Sequence, residues 1–140
     1  MTLDLTVVEV PVSPSPDAES FWEGADRGEL VLPWCCDCAD FFWYPRSVCP
    51  SCGGRSVEWR PAAGTGTIYT FCITHNCGLP HLRESVPFVT GLIDLDEGPR
   101  IMGFIDVDPD PTVIEIGGSV AASFLETAGP HRILTFVPIN

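Results

Sequence analysis

Hydrophobic residues in the first 28 positions form one short helical pattern after a proline-rich segment. The pattern covers residues 16–27, where Pro16 suits the first helical turn and Gly28 suits the C-cap. Prolines keep the preceding segment out of a helix, so residues 6–12 are expected to be a short edge strand or an extended arm. The apolar positions at helical spacing are Ala18, Phe21, Trp22 and Ala25.

The rest of the chain has the pattern of β-structure, with short apolar runs between turns rich in Gly, Pro and Asp. Two short strands, over residues 29–34 and 56–60, flank a cluster of cysteines, and residues 61–66 form a hinge. Beyond the hinge the spacing of the runs is typical of a small antiparallel barrel, interrupted by a polar loop over 75–86. The barrel strands are predicted over 68–74, 88–95, 101–107, 120–126 and 133–137, with 113–116 as a half-turn or short strand.

Four cysteines form two pairs with the spacing of a metal site. Two residues separate Cys35 from Cys38 and Cys49 from Cys52, so that each tight turn directs two thiolates at one ion. Two such turns facing each other supply tetrahedral sulfur coordination, which suits Zn²⁺ or iron. We expect one structural Zn²⁺, because four thiolates leave no coordination position open for catalysis. Iron of the rubredoxin type uses the same ligands and remains the alternative.

The two cysteine turns differ in the residue that follows the second cysteine of each pair. Gly53 follows the second pair and permits positive φ, whereas Ala39 holds the corresponding position after the first pair. Cys36 is an additional thiol in the first turn. It is not chosen as a ligand, because its spacing from Cys38 gives the wrong turn length.

Charge and composition narrow the classes of partner. The chain of 140 residues has 19 acidic residues, seven arginines and no lysine, which gives a net charge of −12. Nevertheless, 45% of its residues are hydrophobic. The negative charge opposes binding to a nucleic-acid backbone. No apolar run reaches the length of a transmembrane helix and the N-terminus has no leader pattern, so we expect a soluble, cytoplasmic protein. Five of the seven cysteines lie within 18 residues, which agrees with metal binding in a reducing compartment.

Two weaker groups of reactive side chains have simpler explanations. Cys77 lies between His75 and His81 and could bind a metal with them or form a Cys–His nucleophile. No third orienting group is apparent, and a surface loop with a free thiol explains the pattern. Carboxylates that cluster at turns could bind Ca²⁺ or act as acid and base, but solvated turns explain them as well. These carboxylates are Asp94, Asp96, Glu97, Asp106, Asp108 and Asp110.

Aromatic residues are concentrated in the helix and between the two cysteine turns. A ribbon has little core in which to bury so many large side chains. They either form the core that joins ribbon and helix or leave an exposed patch for a protein partner, and both can hold for different members. The candidate interface residues are Phe21, Trp22, Phe41, Phe42, Trp43 and Tyr44.

The order of these motifs resembles the DUF35 family of proteins, in which a zinc ribbon precedes an OB-fold. The resemblance extends from about residue 17 to 139, with Ala39 as a departure from the usual Gly and a long 75–86 loop as another. The matching motifs are Phe21-Trp22-Glu23-Gly24, Arg27-Gly28-Glu29-Leu30, the two cysteine pairs, Tyr44-Pro45-Arg46, Glu58-Trp59, Gly64-x-Gly66-Thr67-Ile68-Tyr69, Pro87-Phe88, residues 94–98, Ile116-Gly117-Gly118-x-Val120 and Phe136-x-Pro138.

The resemblance implies a mainly β fold. The N-terminal arm and helix would occupy residues 1–28, a rubredoxin-like zinc ribbon 29–62, and a small antiparallel OB-fold barrel 63–140. It also implies a non-catalytic accessory subunit that binds a thiolase-superfamily partner, either an acyl-CoA thiolase or a lipid-transfer-protein-like aldolase. The subunit would stabilise that partner and help shape its acyl-CoA channel in steroid or lipid side-chain degradation, in some cases beside a MaoC-type hydratase.

Other functions remain open at this stage. An independent OB-fold module that binds CoA or single-stranded nucleic acid is the alternative, and an enzyme using Cys77 is a weaker one. The acidity of the chain indicates that phosphates of CoA would be held by basic residues of the partner. Arg83 and Arg100 are the residues of this chain that could contribute near CoA.

Overall fold

The computed structural model describes residues 3–139 and has one short helix and eight strands. A 3₁₀ turn, Pro16–Ala18, leads into α1, Glu19–Asp26. The strands are β1 Val31–Cys35, β2 Asp40–Phe41, β3 Val57–Pro61, β4 Thr65–Thr74, β5 Phe88–Leu95, β6 Arg100–Ile105, β7 Ser119–Leu125 and β8 Ile133–Pro138.

Helix α1 confirms the predicted helical pattern, with its first turn wound as a 3₁₀ turn. The chain leaves the helix at Gly28, whose φ of +78° is the left-handed conformation that glycine adopts without strain. Gly28 donates its N–H to the carbonyl of Ala25, which closes the last turn. Phe21 and Ala25 are buried, so the apolar face of the helix packs inward.

The ribbon is a three-stranded antiparallel sheet in the order β2-β1-β3. Trp34 lies opposite Phe41 of β2 and Glu58 of β3. The two-residue strand β2 is an addition to the predicted elements, because a run this short gives no period to recognise. The first cysteine turn connects β1 to β2 and the second precedes β3, so both turns lie at the same end of the sheet.

The last five strands form a closed barrel in the order β4-β5-β6-β8-β7, with β7 returning to β4. The prediction of a small barrel is confirmed, whereas the expectation of purely antiparallel pairing is corrected at one seam. Strands β6 and β8 run parallel, with Phe104 beside Thr135 and Ile105 beside Phe136. A ring with an odd number of strands cannot alternate direction all the way round, so one parallel seam is a geometric necessity.

Residues 106–118 cross from β6 to β7 without a strand, and the 113–116 run forms turns rather than a strand. Within the barrel, a register shift between Ile68 and Thr70 bends β4, which pairs with both β5 and β7. Such a bulge allows a strand to turn the corner of a small barrel.

One hydrophobic core runs through helix, ribbon and barrel. Phe21 of the helix and Leu32 of β1 belong to the same buried cluster as Ile93, Val120 and Phe136 of the barrel. A second cluster seats the N-terminal segment, where Leu5 is 1% exposed and packs against Leu82 and Phe88. The segment over residues 6–12 is thus an arm and not a strand. Within residues 3–139, no helix is both long and apolar enough to cross a membrane.

Candidate metal centre and apolar groove

The four cysteines predicted as ligands converge at the end of the ribbon. The sulfur atoms of Cys35, Cys38, Cys49 and Cys52 all lie within 4.8 Å of one another. The Sγ atoms of Cys35 and Cys52 are 3.7 Å apart, and those of Cys38 and Cys49 are 3.9 Å apart. A tetrahedral ion with metal–sulfur bonds of about 2.3 Å places its ligands about 3.8 Å apart, which these two separations match.

Backbone N–H groups of the two turns point at the sulfur atoms. Cys38 donates its N–H to Cys35 Sγ over 3.3 Å, and Ser51 and Gly54 donate theirs to Cys49 and Cys52 over 3.4 Å each. These bonds hold the thiolates before an ion arrives and offset their negative charge.

The difference between the two turns is visible in the backbone. Gly53 has φ +72°, and Ala39 has φ +53°, the one non-glycine residue at positive φ among those described. Ala39 therefore adopts the same left-handed conformation as Gly53, the residue at the corresponding position of the second turn. An L side chain in this region costs of the order of 1 kcal/mol, so the closed ligand set is obtained at some local strain.

The thiols influence one another strongly because they share one small volume. N–H donors from Cys52 and Ser51 lower the pKa of Cys49 to about 7. Hydrogen bonds with Cys52, Cys35 and Cys49 raise the pKa of Cys38 to about 12. The Cys49 thiol therefore ionises more readily than the Cys38 thiol. A bound cation would allow all four sulfurs to be thiolates together.

The other cysteines and the histidines stay apart from this cluster. In the described part of the chain, the four ribbon cysteines are the one group of three or more side chains placed to ligate a metal. Cys36 is exposed, and partial desolvation of its sulfur together with the nearby Glu58 raises its pKa. Cys77 packs on the cluster that seats the N-terminal arm. The structure gathers no ligand set from Cys77 with His75 and His81.

A groove of about 320 Å³ lies between the aromatic residues of helix and ribbon and one face of the barrel. Its lining is almost wholly apolar. Trp22 and Trp43 form one wall, and Met102 of β6 is 60% exposed on the other. The remaining lining residues are Phe21, Thr90, Ile101, Gly103, Phe104, Ile133 and Leu134.

The structure separates the aromatic residues singled out as an interface. Phe21 is buried in the main core and Phe42 in the small core beside Cys35 and Cys49, so Phe42 is withdrawn from the surface. The reason is that the cysteine turns fold back over their own connecting segment. Trp22, Phe41 and Trp43 are half-buried and pack on the main core, and Tyr44 is 58% exposed.

Sequence reasoning missed the barrel wall of this groove. Strand β6 carries apolar residues on both faces, with Ile101 and Ile105 buried inside the barrel and Met102 and Phe104 facing outward. A strand that is apolar on both faces is typical of a sheet covered on both sides. That pattern could have predicted the groove.

The two arginines considered for CoA have different surroundings. Arg100 is paired with Asp94 over 2.6 Å, and its guanidinium lies 3.4 Å above the centre of the Tyr69 ring. The hydrogen bond from Arg100 lowers the pKa of Asp94. Arg83 is exposed in the turn over residues 80–85.

Comparison with known proteins assigns these parts to a family. Residues 22–58 match the model of the ChsH2 rubredoxin-like zinc ribbon domain, and residues 59–125 match that of the ChsH2 C-terminal OB-fold domain. A DUF35 domain-containing scaffold protein of Methanocaldococcus jannaschii is 30% identical over 79% of this chain and 79% of its own length. The chain belongs to the DUF35 family.

Two further proteins similar to this DUF35 chain have names that mention an enzyme. A solved structure described as an Ltp2-ChsH2(DUF35) aldolase contains a chain with 31% identity and a TM-score of 0.80, over 91% of this chain and 98% of that one. A probable enoyl-CoA hydratase alpha subunit of Thermomonospora curvata is 35% identical over 85% of this chain. The DUF35 chain spans 37% of the length of that hydratase subunit.

Proposed function

We propose that this DUF35 chain is a non-catalytic accessory subunit of an enzyme complex that acts on acyl-CoA. Its partner would be a thiolase-superfamily subunit, of the acyl-CoA thiolase or the lipid-transfer-protein-like aldolase type. The chain would stabilise this partner and help shape its acyl-CoA channel. The observation that carries the proposal is the apolar groove between Trp22, Trp43 and the outer face of β6.

The groove supports a protein partner through its composition and its setting. The chain has a net charge of −12, yet its groove is open, apolar and lined by half-buried tryptophans. Covering such a surface with a partner removes apolar area from water and is therefore favourable. Aromatic and methionine side chains are enriched in the centres of protein interfaces, and Trp22, Trp43 and Met102 are of these types. The segment that fills the groove should therefore be apolar.

The same arrangement disfavours an independent OB-fold module for nucleic acid. OB folds bind oligonucleotides on the face of their second and third strands, which are β5 and β6 here. Phe21, Trp22 and Trp43 line an apolar groove together with residues of those strands, and no arginine lines the groove. The face used for nucleic acid in other OB folds therefore lacks the basic side chains that hold a phosphate backbone.

We propose Zn²⁺ as the resident ion of the cysteine cluster, with a structural role. Cys35, Cys38, Cys49 and Cys52 would hold it, and the sulfur separations of 3.7 and 3.9 Å support tetrahedral coordination. Zinc would supply folding energy and no redox chemistry. Elemental analysis and the colour of the purified protein test this proposal. A zinc-containing protein is colourless, whereas a ferric site with four thiolates is red and would show that iron is the resident ion.

Steroid or lipid side-chain degradation is the setting we propose. The support is that one similar chain, from Mycobacterium tuberculosis, is named a 3-oxo-4,17-pregnadiene-20-carboxyl-CoA hydratase alpha subunit, with 28% identity over 81% of this chain. A second support is the structural likeness to an aldolase chain. A hydratase of MaoC type would then be a further member of the complex.

The test is co-purification of this chain with a thiolase-superfamily aldolase expressed beside it. Met102→Asp places a charge in the groove, and Ile116→Asp is the matched control because Ile116 is 57% exposed outside it. We expect affinity for the aldolase to fall by at least about tenfold for Met102→Asp and to stay unchanged for Ile116→Asp. Equal effects of both variants would remove the groove from the interface, and a chain that binds no such enzyme would refute the accessory role.

A further inference from the structure

The seven arginines of this acidic chain are not used alike. Four of them, Arg27, Arg60, Arg100 and Arg132, lie within 3.3 Å of a carboxylate oxygen. Within residues 3–139, the other three arginines form no such pair, although the chain holds 19 acidic residues; they are Arg46, Arg55 and Arg83. These three side chains are therefore available to bind something else.

Arg46 and Arg55 line the same recess, of about 240 Å³, on the ribbon side of the molecule. The recess is mostly polar, and Ser47 adds a hydroxyl group to it. Trp59 and Val57 of β3 contribute its apolar floor. Asp17, at the start of the helical segment, is the one acidic residue of the lining, and its oxygens stay beyond ion-pair distance of both guanidinium groups.

One of these guanidinium groups is already held in place. Arg46 donates its Nε–H to the carbonyl oxygen of Tyr44 over 3.3 Å, which leaves the terminal Nη groups to face a ligand. A guanidinium fixed through Nε loses less conformational freedom when it binds. Because two like charges sharing a recess repel each other, an anion between them removes that repulsion and gains two charge-assisted hydrogen-bonded contacts.

We propose that Arg46, Arg55 and Ser47 form an anion-binding site on the ribbon for a carboxylate or phosphoryl group. Both groups present several oxygen atoms that a pair of guanidinium forks can share. The anion can come from an acidic side chain of a protein segment or from a small phosphorylated molecule. This site lies apart from the cysteine cluster and the apolar groove, and it does not depend on the accessory role proposed above.

The experiment follows the side-chain N–H signals of the arginines by NMR in the full, zinc-loaded chain. Inorganic phosphate is added in one arm and glutarate in the other, at constant ionic strength. We expect saturable shifts at Arg46 and Arg55 with a Kd of about 1–10 mM in at least one arm. A response to phosphate alone assigns the phosphoryl source, and a response to glutarate alone, or to both, assigns carboxylate as a ligand.

The matched variants are Arg55→Gln and Arg83→Gln. Arg83 is also exposed and also outside the ion pairs of the described residues, but it lies in a different loop. We expect Arg55→Gln to weaken binding by about tenfold and Arg83→Gln to leave it unchanged. Arg55→Gln spares the Arg46–Tyr44 contact, so the loop should fold in this variant. The proposal is overturned if neither anion gives saturable shifts at Arg46 and Arg55, or if both variants respond alike.

Discussion

Asp26 and His131 join the helix to the barrel across 105 positions of sequence. One carboxylate oxygen of Asp26 lies 3.4 Å from Nδ1 of His131, and the other accepts a hydrogen bond from the backbone N–H of Arg132. The ring of Trp22 packs 5.5 Å from the His131 ring, measured between centroids. The end of α1 is therefore fixed to the loop between β7 and β8, and this contact orients a wall of the groove.

Removing this carboxylate should loosen the helix. We expect Asp26→Ala to lower the free energy of unfolding by about 0.5–1 kcal/mol, because the backbone N–H of Arg132 loses its carboxylate acceptor and the His131 ring loses a contact. Urea unfolding followed by tryptophan fluorescence measures the loss. Glu23→Ala is the control on the same helix, since Glu23 is exposed and outside the ion pairs of the described residues. An equal loss in both variants would mean that helix propensity and not the contact is responsible.

Loss of one ligand should empty the metal centre. We expect the zinc content of the Cys49→Ala variant to fall from about one ion per chain to almost none. The ribbon should unfold locally, because the free energy of metal binding stabilises its fold. Native mass spectrometry and elemental analysis report the metal. Cys36→Ala, a neighbouring exposed thiol outside the cluster, should keep a full complement of zinc. Full zinc content in the Cys49 variant would show that the ion has other ligands.

The ion pair between Asp94 and Arg100 should make a pH-dependent contribution to stability. Arg100 lowers the pKa of Asp94 from its ordinary value of 3.8, so the folded protein favours the ionised carboxylate. The stabilisation is therefore present above about pH 4 and is lost as the pH falls through the lowered pKa. We expect Asp94→Asn to be less stable than the parent chain at pH 7 and equal to it near pH 2.

Urea unfolding at a series of pH values measures this difference. The exposed Asp108 is outside the ion pairs of the described residues, and Asp108→Asn serves as the control. A gap between the parent chain and Asp94→Asn that widens toward acid pH would contradict the assigned pair.

Close backbone packing should make Gly66 intolerant of a side chain. A Cβ at Gly66 would overlap the carbonyl oxygen of Asp94, which belongs to the backbone and cannot turn aside. We expect Gly66→Ala to cost about 2 kcal/mol through displacement of β4 from β5. Gly78→Ala is the control, because nothing lies within 4 Å of its Cβ position. Differential scanning calorimetry compares the two, and a Gly66 variant as stable as the Gly78 variant would refute the contact.

Local patterns predicted most of the elements, because each depends on residues close together in sequence. The spacing around Phe21 and Trp22 indicated the helix, and the paired cysteines indicated which four thiols come together. Local patterns did not predict strand β2, because it is too short to show a period. They also did not predict the parallel pairing at Ile105 and Phe136, because it depends on how the barrel closes.

The sequence by itself determined most of the elements, the two cysteine pairs and the acidic, apolar character of the chain. Which aromatic residues would be buried was decided by the tertiary structure, because Phe42 is enclosed once the cysteine turns meet, while Trp22 and Trp43 stop at the barrel surface. The groove, the Asp26–His131 contact and the recess shared by Arg46 and Arg55 likewise arise only on folding. Each joins segments that no local period connects, so packing alone brings them together.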